Sequence, residues 1–305
     1  MITRDDVLAA AERIGPYVRR TPTIRLPAGD LAEAPVAVKL EQLQHTGSFK
    51  ARGAFNRLLQ IEPDRPVVAA SGGNHGMAVA YAASTLDRRA EIFVPSLASP
   101  AKLARLRALG ANLTIVEGAY ADAAAASHAR AAEIGAAEVP AFEHPQVAAG
   151  QGTAALELLA DAEFDTLLVA IGGGGLSAGF AAALPESVKL VGVETSGTAS
   201  YAAAVEAGEP ADAPAEGLAA DSLGSRRVGA MCFEVLKRRG VPALVVEDHQ
   251  VAAAQKTLWN HLRLAAEPGG AVAAAALLAG VYQPAPDERV AFLICGGNVD
   301  PAKLG

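Results

Sequence analysis

One lysine stands where a cation is out of place. Lys50 lies in Thr46-Gly-Ser-Phe-Lys-Ala-Arg-Gly53, at the start of a helix-like run. The helix dipole disfavours an ammonium there, and lysines concentrate at the opposite end. Beside Phe49 and small neighbours the amine would lose hydration. Lost hydration lowers a lysine's pKa and leaves a free base able to attack a carbonyl. The plainer reading is an exposed lysine at a helix start.

Three further clusters have the residue types of a binding site. The run Gly172-Gly-Gly-Gly175 is followed by a helix-like stretch from Leu176. Glycines leave backbone amides unobstructed, and a helix N-terminus favours an anion such as phosphate. A tight strand-to-helix turn is the alternative, but it needs one or two glycines, not four. The same residues fit Gly173-x-Gly175-x-x-Ala178, with Glu194 about 20 residues on, as in a dinucleotide fingerprint. Glu194 reads equally as a solvated or metal-contacting strand end. In Ser71-Gly-Gly-Asn-His-Gly76, Ser71 and the loop amides could hold a carboxylate, or Asn74 and His75 could simply sit in a glycine turn. Cys295 precedes Gly296-Gly-Asn298 and reads as a core cysteine or a reactive thiol.

These clusters need elements to bring them together. Short apolar runs at 36–40, 67–70, 92–94, 113–116, 167–171, 188–193, 244–246 and 290–294 are bounded by glycine or proline and apolar on both parities. That pattern predicts parallel strands covered on both faces. Helices are predicted at 77–84, 100–109, 121–134, 153–160 and 250–265, and strand–helix alternation means an α/β fold. The four clusters directly follow strands. Ligands in open α/β sheets sit beyond the carboxyl ends of strands, so a shared cleft is expected.

Composition narrows the function. The chain has 305 residues, 51% hydrophobic and 19% charged, with net charge −7. That apolar content rules out a disordered chain. No basic stripe exists for phosphates and aromatics are only 5%, which argues against nucleic acid as a partner. The charge-free run from Thr166 to Leu184 has the length of a membrane span, but its four glycines predict a strand, a loop and a helix instead. The start lacks an apolar signal segment, and Cys232 and Cys295 form no disulfide framework, so a cytoplasmic protein is expected. The histidines form no zinc motif and there is no G-x-S-x-G elbow.

Taken in order, the motifs resemble those of the fold type II pyridoxal-phosphate enzymes, within them the threonine/serine dehydratases and serine racemases. The resemblance rests on Gly47-Ser-Phe-Lys-Ala-Arg-Gly-Ala54, Ser71-Gly-Gly-Asn-His-Gly76, Ala149-Gly-Gln-Gly-Thr153, Gly172–Gly175, Glu267-Pro-Gly-Gly270 and Gly296-Gly-Asn-Val-Asp300. It implies two open twisted, mostly parallel sheets covered by helices. A small domain at 64–144 would be inserted in a large cofactor-binding domain of 1–63 and 145–305. It implies that pyridoxal 5'-phosphate is bound by Lys50 through an imine, with Lys50 later taking the α-proton. Phe49 would pack on the ring, and Asn74 would meet its hydroxyl. Gly172, Gly173, Gly174, Gly175 and Leu176 would hold its phosphate, and Cys295 would face its nitrogen. Ser71, Gly72, Asn74 and His75 would take the substrate carboxylate.

The implied reaction is dehydration and deamination of a β-hydroxy amino acid, such as L-threonine or L-serine, to a 2-oxo acid and ammonia. The alternatives are a racemase or a β-replacement enzyme. A dinucleotide-dependent oxidoreductase and a non-catalytic amino-acid sensor are readings of other classes. Racemising relatives have serine immediately after the position of Ser71, where this chain has Gly72. A relative's metal-binding acid is replaced by Ser200, which weakens a hard-cation site, so no metal is assigned. Asp221-Ser222 stands where an Asp-Gly is common beside the pocket. The chain ends five residues after Asp300, without an appended regulatory domain, which implies an unregulated catabolic form. A homodimer is carried over from the family; neither a nucleic-acid nor a membrane partner is expected.

Overall fold

The computed structural model describes residues 2–300 and 302. In chain order the first elements are α1 (Arg4–Ile14), β1 (Thr23–Leu26), β2 (Val36–Leu40), α2 (Lys50–Leu58), β3 (Val67–Ala70) and α3 (Asn74–Thr85). Then come β4 (Ala90–Pro95), α4 (Pro100–Ala108), β5 (Asn112–Val116), α5 (Tyr120–Ile134), β6 (Ala137–Glu138), α6 (Pro145–Asp161), β7 (Thr166–Ala170) and α7 (Gly175–Ala183). The remainder is β8 (Lys189–Thr195), α8 (Ser200–Ala207), α9 (Ala220–Leu223), α10 (Ala230–Arg238), β9 (Ala243–Val246), α11 (Asp248–Leu262), α12 (Pro268–Leu278) and β10 (Val290–Ile294).

The strands form two sheets. Six run in the order β1-β2-β10-β7-β8-β9 and four in the order β5-β4-β3-β6. Every pairing is parallel except β1 with β2. Each residue of β2, β7 and β10 is buried, so these strands are almost wholly apolar, and the one charge among them, Lys39 of β2, is paired. The alanine-rich α12 is buried from Gly269 to Leu277, as a helix apolar all round must be.

Two strands escaped the sequence reading. Both β1 and β6 lie at sheet edges, and β6 has only two residues. The expected helix at 153–160 begins earlier, at Pro145, where the His144 side chain accepts from the Gln146 amide. Gly150 and Gly152 lie inside this helix. A Cβ at Gly152 would sit 2.5 Å from the Gly179 carbonyl, so glycine is there to let α6 and α7 approach. The charge-free run from Thr166 to Leu184 is β7, a loop and α7, and among the described residues no helix is long and apolar enough to cross a membrane.

A buried ion network ties α2 to its surroundings. The Arg52 guanidinium donates to both oxygens of Glu41 at 2.8 Å and to both of Glu157 at 2.7 and 2.9 Å. Lys39 Nζ donates to Glu157 at 2.8 Å and to the Thr21 carbonyl at 2.7 Å. One turn of helix therefore has its register set two residues after Lys50.

Candidate active site

Four parallel strands end on one region, and the loops beyond β2, β3, β7 and β10 meet there. Lys50 is the first residue of α2, and its Nζ donates to the Ala141 carbonyl at 2.8 Å. It lies 5.1 Å from the centroid of the Phe49 ring. Desolvation lowers its pKa to about 8; Cys295, Cys232 and Glu267 oppose that shift. The Phe49 amide donates to the Cys295 carbonyl at 3.1 Å, and Ser48 pairs with Gly296, so the lysine loop is sewn to the end of β10. Cys295 itself is buried; burial pushes its thiol pKa up, and Sγ donates to the Gly269 carbonyl at 3.4 Å.

The loop after β7 is a set of spare donors. Among the described residues, the amides of Gly172, Gly173 and Gly174 find no acceptor. The first amides of α7 add to them, because a helix leaves its opening N–H groups unpaired. Gly174 adopts φ +91, and a Cβ on Gly173 would lie 2.3 Å from the Phe142 ring, so neither position tolerates a side chain. Leu176 is buried behind them.

The loop after β3 opens α3 in the same manner. The Ser71 hydroxyl accepts from the Gly73 amide at 3.1 Å, and the first-turn amides of Asn74, His75 and Gly76 are unpaired among the described residues. A Cβ on Gly72 would press on Val94 and Ala98. The ring of His75 turns away: it is buried, and Nε2 donates to the Val139 carbonyl at 2.7 Å. Burial, with Lys50 nearby, lowers its pKa to about 3, so the neutral ring is a strut and only the backbone amide faces the cleft.

Asn74 joins two groups for which the sequence reading named no role. Its Nδ2 donates to Glu267 Oε1 at 2.6 Å, and its Oδ1 accepts from Asn298 Nδ2 at 2.7 Å. Asn298 also donates to the Thr46 carbonyl at 2.8 Å. Glu267 is buried, and its pKa rises to about 7. Both residues were visible within motifs. The Ala141 carbonyl had no sequence signal, and neither did Cys232, whose Sγ donates to the Phe142 carbonyl at 3.8 Å beneath Gly174.

Glu194 is not placed for a ribose. Its carboxylate accepts from the amides of Tyr201 at 2.7 Å and Ala202 at 2.8 Å, capping α8 from within the core. That removes the acidic residue on which the dinucleotide reading depended. Ser222 Oγ accepts from the Gly269 amide at 3.0 Å, and Asp221 pairs with Lys102 at 3.0 Å across the two sheets. Together these elements offer a half-buried amine, an anion cradle and a second set of free amides within one cleft.

Comparison with known proteins agrees with this chemistry. A family model described as "Pyridoxal-phosphate dependent enzyme" matches residues 14–296. The L-threonine ammonia-lyase of Thermotoga maritima is 35% identical over 98% of this chain and 76% of its own length. The crystal structure of the T.th. threonine deaminase superposes with a TM-score of 0.90 at 34% identity, covering 98% of this chain and 99% of that one. The structure of maize serine racemase gives a TM-score of 0.94 at 30% identity, over 99% and 95% of the two chains.

Proposed function

The chain belongs to the pyridoxal-phosphate-dependent enzymes, and on that premise we propose that it is an ammonia-lyase converting β-hydroxy amino acids such as L-threonine and L-serine to 2-oxo acids and ammonia. The observation that carries the reading is Lys50: an enclosed amine with pKa about 8, sharing its cleft with glycine amides that lack acceptors. Those groups fit the cofactor, whose aldehyde needs a free amine and whose phosphate needs unpaired donors.

When bound, pyridoxal phosphate supplies an aldehyde for amines and a ring that withdraws the electron pair left at Cα. The amides of Gly172 to Gly175 and Leu176 would hold its phosphate, and Phe49 would pack on its ring. Asn74, oriented by Glu267 and Asn298, would bind the ring hydroxyl. Cys295, kept a neutral thiol by burial, would leave the ring nitrogen uncharged, which favours elimination over transamination. Ser71, Gly72 and the amides of Asn74 and His75 hold the substrate carboxylate. Lys50 is the base for the α-proton. Residues 64–144 form the small domain. Two free buried thiols support a reducing cytoplasm, and a homodimer is the expected assembly.

Position 72 favours elimination over racemisation. A racemase needs an acid or base on each face of Cα, and Gly72 has no side chain to supply the second. The test is a panel of L-serine, L-threonine and their D-forms with the cofactor-loaded protein, scored for 2-oxo acid and for inversion. Keto-acid release from the L-forms with little D-serine is expected. Borohydride should fix the cofactor onto Lys50, and Lys50→Ala should lose turnover while keeping its circular-dichroism spectrum. Rapid inversion, or full activity in Lys50→Ala, would sink the assignment.

A further inference from the structure

Outside the cleft's inner shell, one ion pair links the two sheets. Lys102, on the first turn of α4, meets Asp221 of α9 at 3.0 Å. Both residues flank the loop between β3 and α3. Ala98, just before α4, lies 3.2 Å from where a Cβ on Gly72 would be, and the Asp221 carbonyl lies 4.0 Å from that of Gly73. Lys102 also acts on the inner site, because its charge, like that of Lys50, helps stabilise the Glu267 carboxylate. Its charge thus reaches the cleft from the side of the smaller sheet. The Lys102 side chain is 35% exposed and that of Asp221 85%. An ion pair this open adds little stability, so its placement at the cleft is the more informative fact.

We propose that Lys102 and Asp221 form a charge filter for the substrate side chain, favouring β-hydroxy amino acids with neutral side chains over those with a second carboxylate, such as 3-hydroxyaspartate. The inference rests on the ammonia-lyase reading above. A substrate with a distal carboxylate needs a cation in the cleft mouth. Lys102 is placed to supply it, but Asp221 already neutralises it. A dicarboxylate must displace Asp221 and then lie near both that carboxylate and Glu267, so it meets repulsion instead of a partner. Neutral side chains meet a balanced pair and pay no such penalty.

The test compares kcat/KM for keto-acid release from L-threonine and L-threo-3-hydroxyaspartate. It uses the cofactor-loaded wild type, Asp221→Asn and the double variant Asp221→Asn/Lys102→Met, at low and high salt. Asp221→Asn should raise the hydroxyaspartate-to-threonine ratio about tenfold, chiefly through KM, with a smaller gain at high salt. The double variant should lose the gain. An unchanged ratio in Asp221→Asn, a gain that survives Lys102→Met, or a wild type that prefers 3-hydroxyaspartate would overturn the filter. Threonine turnover with an unchanged ratio leaves the ammonia-lyase reading standing and removes only this inference. Release of keto acid from neither substrate by the wild type removes both.

Discussion

The Lys50 ammonium carries three donors, and the structure gives it one acceptor, the Ala141 carbonyl. Losing a proton relieves that mismatch, which is the local meaning of a pKa near 8. The free amine is the form that attacks an aldehyde. Uptake of pyridoxal phosphate by the cofactor-free protein should therefore accelerate as pH rises through about 8 and level off above it. Stopped-flow absorbance would measure this; a rate independent of pH across that range would contradict it. The lysine was legible in the sequence because its place at a helix start defied the dipole. Its acceptor was not, since a backbone carbonyl 91 residues away leaves no trace in residue type. His75 was legible as a polar loop residue, but the direction of its ring was not. Only the packed structure reveals that its ring points at Val139.

The position of Lys50 depends on α2, and α2 depends on Arg52. Its guanidinium bridges Glu41, just beyond β2, and Glu157 on α6, and both Arg52 and Glu41 are fully buried. Replacing Arg52 by Met leaves the Glu41 carboxylate buried without its partner. That should cost about 3 kcal/mol or more, read as a lower denaturation midpoint. Arg52→Lys should recover only part of the loss, because an ammonium cannot make the paired, forked contacts. Equal stability of all three proteins would show that the network is dispensable. Arg52 lay in plain view in the lysine motif, yet its partners were hidden. Glu41 looks like a loop residue, and Glu157 sits on a helix that was expected to be half its true length. The proline at Pro100 marked a helix start that was read, whereas those at Pro145 and Pro268 were passed over beside glycines that serve close packing.

At the scale of the molecule, opposite groups titrate over nearly the same pH range. Burial raises Glu194 and Glu267 to about 7, so the folded state keeps protons that the unfolded chain has lost above about 4.5. That contribution is forfeited as pH rises from about 4.5 to about 7. His75 and His144 are lowered to about 3 and about 4, so the unfolded chain binds protons first as pH falls below about 6.5. Their contribution is forfeited in the other direction. Glu194→Gln removes one carboxyl while leaving an acceptor for α8. Its melting temperature should climb more steeply between about pH 5 and about pH 7 than that of the wild type, measured by calorimetry. Parallel slopes would refute the assignment of that proton to Glu194. None of this was readable from net charge, which counts groups without their burial. The alternation of strands and helices did announce parallel sheets, but not which strands share a sheet.

In the six-stranded sheet, β10 lies between β2 and β7, although among the described strands it comes last in the chain. Until it arrives, a nascent chain has two five-residue buried strands with their facing edges bare. Bare edges of this kind invite pairing with other chains. Strands β3 to β6 have all their partners within residues 67–138 and can assemble much earlier. A ribosome that stalls before Val290 therefore releases a product with one complete sheet and one split open at its middle, a natural substrate for chaperones and proteases.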